Sequence, residues 1–513
     1  MSSPRPHTRL PGGAGNHNGS HSGNGRAILR PPRDTELRVA VVGSGYVGTV
    51  VAACLAFLGR RVVAVEADPI RLRDLARGQL PFYEPGLSDL LGQSLGSGRL
   101  QFTNRIAFAL DQAHVVFLCV GTPPGEGGHA DMSYVREAAT AIGRGLRKPQ
   151  VLVTKSTVPI GSGQWLLSVV EDAYQGASPL GDLLSVVSCP EFLREGSAIA
   201  DFLTPDRVVL GSDCEPALDL VGEVYRPVLE QTFPGGKPGA RPVLVRTGRL
   251  TAETVKYASN AFLATKISFI NEIAIICELV GADVVEVATA IGLDSRIGSK
   301  FLEAGVGWGG SCFGKDLQEL ISTAADYGHH PRLLQAVAEV NDRQRQVVVE
   351  KLRRHLKVMR GRRVCLLGMS FKPGTDDLRC SPALDVAHWL VAAGASVRAH
   401  DPMVKSVPGM SELRIFSDVY EAASGTDAVV VMTEWPDYVC IDTRALLGTM
   451  RGRLLIDGRN MFDPSTMVAR GFVYEGVGRA ETSEASDGHL SDYRRTGRVE
   501  AETPEGSVAC TVE

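Results

Sequence analysis

The stretch Leu37 to Gly48, LRVAVVGSGYVG, restricts the chain more than any other part of it. A short β-branched run, Leu37 to Val42, ends directly at a G-x-G-x-x-G turn, Gly43 to Gly48, and a helix-like stretch continues to Leu58. Glycines at those three places permit a tight turn and let a pyrophosphate approach the N–H groups at a helix N-terminus. On its own the pattern also fits a plain glycine turn. The next strand-like run, Arg61 to Val65, delivers Glu66 at roughly the 20-residue offset of a carboxylate that accepts from ribose hydroxyls. A carboxylate there repels a 2′-phosphate, so NAD is expected over NADP. Arg71 either reaches the same cofactor or is a solvated helix residue.

Short apolar runs recur beyond this turn, at Val115 to Val120, Val151 to Thr154, Val186 to Ser188 and Val208 to Gly211, with helical patterns between several of them. Strands alternating with helices indicate a parallel, doubly wound sheet. From Leu250 the pattern changes. Leu250 to Val280 reads as one long helix with Thr251 as its N-cap and Gly281 as its stop, and Pro331 to about Leu356 reads as a second. Arg363 to Gly368, Val397 to His400, Ala428 to Met432 and Leu454 to Ile456 then form another strand series. The expected fold class is therefore α/β: two Rossmann-like doubly wound α/β domains joined by a central helical region with a long helix. The boundaries read as 36–247, 248–357 and 358–479. They are flanked by a disordered N-terminal arm, 1–35, and a disordered acidic tail, 480–513, both too poor in apolar residues to offset ordering entropy.

Composition narrows the function classes. The 513 residues carry 54 Lys plus Arg against 58 Asp plus Glu, a net charge of -4, which argues against nucleic acid or a membrane surface as the main partner. The basic stretch Lys351 to Arg363 sits at a helix end, where cations suit the dipole. The longest apolar segment, Ala261 to Gly281, is broken by Lys266, Asn271, Glu272 and Glu278, so no bilayer span is expected. The first residues lack the apolar core of a signal peptide. Ten cysteines without a C-x-x-C pair read as reduced thiols in a cytoplasm, with no metal site expected. Any one of them is then free to act as a nucleophile.

One cysteine stands out. GWGGSCFGKD, Gly307 to Asp316, sets four glycines around Cys312 in a turn that exposes the thiol. Lys315 is a nearby cation that favours thiolate, and Asp316 can orient water. The plain alternative is a structural cysteine in a Gly-rich turn; the scarcity of bulky packing residues on either side weighs against it. On the long helix, Lys256 and Asn260 lie four apart on one face. Polar residues at that spacing usually form a solvated face, but the surrounding Ala, Phe, Leu and Ile make this helix read as largely buried. In CPEFLREGSAIADFLTPDRVVLG, Cys189 to Gly211, Glu191 and Glu195 follow a strand, where α/β enzymes place ligand groups; otherwise they are ordinary acids of a surface loop.

Further segments extend the pattern: FYEPGL (Phe82 to Leu87), VGTPP (Val120 to Pro124), KSTVPIG (Lys155 to Gly161), NAFLATKISFINE (Asn260 to Glu272), DSRIG (Asp294 to Gly298), FKPGTDDLR (Phe371 to Arg379) and DGRN (Asp457 to Asn460). Together, over about residues 37 to 477, the chain resembles the UDP-glucose/GDP-mannose dehydrogenase family. The resemblance implies oxidation of a nucleotide-sugar alcohol to a carboxylate, with two NAD reduced in turn and a thiohemiacetal and thioester carried on Cys312. It implies Lys256, Asn260 and Asp316 around the reacting carbon and water, Glu191 as the acid/base of thioester hydrolysis, and Thr157 holding the water. It turns Gly43, Gly45, Tyr46, Val47, Gly48, Glu66, Arg71, Thr122, Thr157, Glu195, Lys315 and Arg379 toward NAD. It turns Glu191, Phe192, Leu193, Lys256, Asn260, Arg296, the loop Phe301, Leu302, Glu303, Ala304 and Gly305, and then Gly309, Lys372 and Arg459 toward the nucleotide sugar. Arg296 can reach a neighbouring subunit's site, and a homodimer or higher homo-oligomer seamed by the middle helices is implied.

Within the family, PEFLREG followed by PDRVVLG favours UDP-glucose over GDP-mannose or a UDP-N-acetylhexosamine. A non-catalytic NAD-binding sensor would not need Cys312, Lys256 and Asp316 together, and a simple hydroxyacid dehydrogenase has no use for the cysteine. Three positions depart from the family's habit: Cys189 where Asn usually precedes Pro-Glu-Phe-Leu, Glu66 where Asp is common, and Trp308 where Phe or Tyr is usual. None removes a catalytic group. Cys189 leaves the hydrogen bonding of its loop open.

Overall fold

The computed structural model describes residues 37–479, so the two tails expected at 1–35 and 480–513 lie outside the described residues. Eight strands form the first sheet: β1 (Arg38–Val42), β2 (Arg61–Val65), β3 (Leu100–Thr103), β4 (Val115–Leu118), β5 (Gln150–Thr154), β6 (Leu184–Ser188), β7 (Arg207–Gly211) and β8 (Val243–Thr247). Their spatial order is β3-β2-β1-β4-β5-β6-β7-β8. All pairings are parallel except β6 with β7, which meet antiparallel at Ser188 and Gly211. The second sheet holds β9 (Arg363–Leu367), β10 (Ser396–His400), β11 (Arg414–Phe416), β12 (Ala428–Val431), β13 (Leu454–Asp457) and β14 (Val473–Gly476), all parallel, in the order β11-β10-β9-β12-β13-β14.

Helices cover both faces, which is why the inner strands are largely apolar and buried. Every residue of β4, β5, β12 and β13 is buried. Each sheet has one switch point, between β1 and β4 in the first and between β9 and β12 in the second. Ligands of such sheets bind in the crevice outside the carboxyl ends of the strands there.

Helices join the sheets. The longest, Arg249–Val280, has 32 residues, about 48 Å at 1.5 Å per residue. Its stop is Gly281, left-handed at φ 81°. Its start differs from the expectation: Gly248 is the N-cap and Thr251 lies exposed inside the first turn, because the chain passes from β8 at Thr247 almost directly into helix. Two further helices, Phe313–Asp326 and Arg332–Leu356, pack against it. Among the described residues, no helix is long and apolar enough to cross a membrane.

A buried charge cluster fixes the helical region to the second sheet. Lys351 Nζ donates to Glu278 of the longest helix at 2.7 Å and to Glu475 of β14 at 3.1 Å. Arg354 and His355 also contact Glu475, at 2.8 and 2.7 Å. Lys351→Met should therefore lower unfolding free energy by about 2–3 kcal/mol. That is the lower side of breaking a buried pair, since Arg354 and His355 remain on Glu475; urea melts with a matched m-value are the measurement.

Candidate active site

The glycine turn sits at the carboxyl end of β1, beside the switch point. Gly43 has φ 94°, and a Cβ on Gly48 would lie 1.8 Å from the Gly43 carbonyl oxygen, so both positions exclude a side chain. Gly45, the N-cap of the helix Tyr46–Phe57, faces open space within 4 Å of where a Cβ would stand. That open cradle over a helix N-terminus fits a dinucleotide pyrophosphate. Glu66, just past β2, is buried, accepts from the Asp68 N–H at 2.9 Å and pairs with Arg71 at 3.5 Å. Arg71 thus stands beside the carboxylate with its side chain partly exposed, which is compatible with either role expected of it. The Tyr46 hydroxyl donates to Glu84, which also accepts from the backbone N–H of Gly196 and Ala198 at 2.6 and 2.7 Å. Thr122 donates to the Thr157 carbonyl at 2.8 Å, tying the loops after β4 and β5 together.

The reacting groups converge from three elements. Lys256 and Asn260, on one face of the longest helix, are both buried. Lys256 Nζ donates to Glu191 Oε1 at 2.9 Å, and the other Glu191 oxygen accepts from the Leu193 N–H at 2.6 Å. Asn260 Nδ2 donates to Asp316 Oδ2 at 2.6 Å. Phe192 lies under two cations, Arg207 at 3.9 Å and Lys256 at 5.6 Å from its ring centre. Cys312 caps the helix Phe313–Asp326 and is reached by solvent.

Charge around the thiol differs from the sequence expectation. Lys315 Nζ is engaged by the neighbouring Asp316 at 2.7 Å, so its charge is spent there. Lys256 is the cation that acts most on Cys312, and Arg379 also interacts with it. Protein crowds the sulfur closely enough that desolvation, with Glu191 adding to it, pushes the thiol above its ordinary range; Lys256 opposes this. Burial tends to lower the Lys256 ammonium, but Glu191 and Asp316 overcome it and the group stays firmly protonated.

The turn before Cys312 is held from two helices. Asn341 accepts from the Trp308 N–H at 2.8 Å and donates to its carbonyl at 3.1 Å, while the Trp308 indole donates to Ser268 at 3.1 Å. On the other side, Gly309 lies against the Cys380 carbonyl and the Gly310 N–H donates to the Arg379 carbonyl at 3.1 Å. The site thus forms at the seam of the two sheets. Arg459, after β13, donates to the Met432 carbonyl at 2.8 Å, pairs with Glu434 at 3.0 Å and abuts Gly305. The Gly305 peptide is gripped by Asn271 at 2.8 Å and Gln344 at 2.7 Å. Burial pulls the Lys372 ammonium down, partly offset by Glu195.

Two expected ligand contacts take a different form. Leu302 and Ala304 are core residues packed with Ile270, Ala274 and Val477, so only their backbones can meet a ligand; Phe301 and exposed Glu303 keep free edges. Arg296 is 87% exposed in its side chain, pairs only with Asp294 two residues away, and is not brought to the site within this chain. Sequence reasoning missed Glu84, Ser268, Asn341, Gln344 and Glu253. For the four on helices, the signal was a buried polar residue at helical spacing among apolar ones, which Asn341 and Gln344 share with Lys256; Glu84 lies in the loop segment Phe82 to Leu87.

A dinucleotide-type turn and a crowded thiol at the seam of two doubly wound sheets define a dinucleotide-dependent dehydrogenase. Family profiles agree over most of the chain: the NAD binding domain of the UDP-glucose/GDP-mannose dehydrogenase family matches residues 37–229, its central domain 250–343 and its UDP binding domain 365–464. The UDP-glucose 6-dehydrogenase TuaD of Bacillus subtilis (strain 168) is 42% identical over 447 residues, covering 86% of this chain and 93% of the relative. The UDP-glucose 6-dehydrogenase of Rhizobium meliloti (strain 1021) is 44% identical over 451 residues, covering 87% and 100%. A UDP-glucose dehydrogenase structure from the hyperthermophilic archaeon Pyrobaculum islandicum superposes with a TM-score of 0.79 at 38% identity, over 88% of this chain and 99% of that one. The chain belongs to the UDP-glucose/GDP-mannose dehydrogenase family.

Glu195 bridges the seam, accepting from Thr375 at 3.1 Å and pairing with Arg379 at 3.2 Å. Burial, then Asp377, raises its carboxyl from 4.5 to about 7. A raised carboxyl makes the folded state hold its proton more tightly than the unfolded chain does. Its stabilising contribution is full below pH 4.5 and is lost as pH rises to about 7. Urea midpoints of the unaltered protein, relative to Glu195→Gln, should therefore fall across that window.

Proposed function

We propose that this chain oxidises the C6 alcohol of UDP-glucose to the carboxylate of UDP-glucuronate, with two NAD reduced per sugar. The observation that carries the reading is the single constellation of Cys312, Lys256, Glu191, Asn260 and Asp316 at the seam between the dinucleotide-type turn and the second sheet. Gly43, Gly45, Gly48 and Glu66 would hold NAD, which would supply a hydride acceptor for each oxidation at C6. Lys256 Nζ and Asn260 Nδ2 stand to stabilise the oxygen at C6. When C6 is an aldehyde, the Cys312 sulfur adds to it. The S–C bond forms, the carbonyl becomes a hydroxyl, and the proton given up by the thiol ends on that oxygen. The sugar stays tethered as a thiohemiacetal and, after the second oxidation, as a thioester. Water then attacks the thioester carbon, the C–S bond breaks, and the proton from water is taken up at Glu191, with Asp316 and Thr157 orienting the water. Lys372, Arg459 and the Phe301–Gly305 backbone suit the diphosphate and sugar.

The rest of the reading follows the same division. Residues 36–247 bind NAD, 248–357 join subunits and 358–479 bind the nucleotide. Phe262, Phe269 and Ile276, seven apart on the longest helix, are all solvent-exposed, which supports a homodimer seamed along that helix. Arg296 would then serve a neighbouring subunit. A cytoplasmic location fits the reduced thiols.

The direct test counts NADH per sugar consumed. UDP-glucose should give about two NADH and UDP-glucuronate, the stoichiometry of a trapped aldehyde; GDP-mannose and UDP-N-acetylmannosamine should be far slower. One NADH with free aldehyde released would refute the four-electron reading.

Cys312→Ser should bind UDP-glucose and NAD yet lose nearly all turnover, since serine is a far poorer nucleophile at neutral pH. UDP-6-aldehyde enters after the first oxidation, and the variant should fail to oxidise it. Oxidation of that aldehyde at the normal rate would remove Cys312 as the nucleophile.

A further inference from the structure

The mechanism leaves unused a buried carboxylate one turn before Lys256. Glu253, on the longest helix, is 5% exposed and carries three hydrogen bonds to other elements. Oε2 accepts from the Gly161 N–H at 2.7 Å; Oε1 accepts from the Gly163 N–H at 3.1 Å and from the Ser188 hydroxyl at 2.9 Å. Gly161 and Gly163 begin the helix Ser162–Ala173, whose N-cap Gly161 offers no side chain of its own. Glu253 thus caps that helix from outside, where a negative charge meets the positive end of its dipole. The fit is tight: a Cβ on Gly163 would stand 3.1 Å from Glu253 Oε1.

Each anchored point leads to a reacting group. The loop ending at Gly161 carries Thr157. Ser188 closes β6, three residues before Glu191. Lys256 and Asn260 follow Glu253 by three and seven residues on the same helix, so they share its face. Lys256 and Glu191 must meet at 2.9 Å, and they hang from different elements. A contact that ties both elements near their roots helps to hold that distance.

We infer that Glu253 is a positioning residue that sets Lys256, Glu191 and the Thr157 loop in register around the Cys312 thiol. The inference rests on the UDP-glucose reading for its kinetic arm. Glu253→Gln places an NH2 where backbone N–H donors need an acceptor, so at least one of the two goes unmet at nearly unchanged volume. Glu253→Ala removes all three bonds. Turnover with UDP-glucose should fall roughly tenfold to a hundredfold in both, with little change in KM, the cost of misplacing groups that still bind substrate.

A second readout needs no sugar nucleotide. Cys312 carboxamidomethylation by iodoacetamide, followed by peptide mass spectrometry over about pH 7 to 10, reports the thiol's titration. Because Lys256 is the cation opposing desolvation there, its displacement should move the midpoint up in both variants. Ser188→Ala, which keeps two of the three bonds, should shift it less. If Glu253→Ala does not fold, Glu253→Gln carries the test. An unchanged midpoint in a folded Glu253 variant, with or without loss of turnover, makes Glu253 a helix cap only and overturns the inference. If the unaltered enzyme ignores UDP-glucose, the substrate reading fails by itself, and the alkylation comparison still decides the role of Glu253.

Discussion

The ion pair between Lys256 and Glu191, 2.9 Å long and buried on both sides, is the contact on which the site depends. Burying two charges costs several kcal/mol per ion unless geometry and further hydrogen bonds compensate. Here Glu191 also accepts from the Leu193 N–H, and Asp316 adds a second anion to the field at Lys256. The pair therefore serves chemistry more than stability. It keeps an ammonium beside a thiol that desolvation pushes up, and that charge opposes the push. It also forces the longest helix and the β6 loop to stay in one relation, since separating them would strand a charge in the interior.

That constraint makes the longest helix the reference line of the molecule. Along it, Glu253 docks the first sheet, Lys256 and Asn260 serve the site, Ser268 holds the Trp308 indole, Asn271 holds the Gly305 peptide and Glu278 joins the cluster on β14. Each contact is a polar side chain on a buried face, and each reaches a different part of the chain. A helix packed only by apolar contacts could slide or rotate at small cost. Directional hydrogen bonds at successive turns forbid that, because a shift would break several at once and leave buried donors unmet.

Much of this was legible in the sequence, and the gaps have physical causes. Inner strands such as β4 and β12 are buried on both faces, so they read as unbroken apolar runs. The four strands missed, β3, β8, β11 and β14, are the four sheet edges. β8 has no buried residue and β11 none either, so a hydrophobic run was never required of them. Cys312, Lys256, Asn260, Glu191 and Asp316 stood out through motif spacing, and the structure brings them together. Lys315 was assigned to the thiol because sequence distance is not spatial direction, and Asp316 takes its charge. Leu302 and Ala304 stood in the right loop, but alternation along an extended segment sent their side chains into the core. Glu253 and Asn341 act through tertiary contacts more than 30 residues away, which no local pattern encodes.

Cys189 shows how the scaffold absorbs a departure next to its central pair. The residue is fully buried at the end of β6, two positions before Glu191. Its sulfur meets Lys155 Nζ at 3.5 Å and the Tyr225 hydroxyl at 3.7 Å. Lys155 also reaches the Pro190 carbonyl at 3.4 Å and lies 5.5 Å from the centre of the Tyr225 ring. Lys155 is thus met by three electron-rich surfaces: a sulfur, a carbonyl and an aromatic face. Sulfur is a weaker acceptor than an amide oxygen, and the carbonyl and the ring share the task. What the loop requires at this position is therefore an acceptor of modest size facing Lys155. The exit direction toward Glu191 is set by the Ser188 anchor before it and the Leu193 N–H after it. A cysteine meets that requirement because its sulfur reaches Lys155 from a fully buried position, leaving the Ser188 and Leu193 anchors of the Glu191 loop in place.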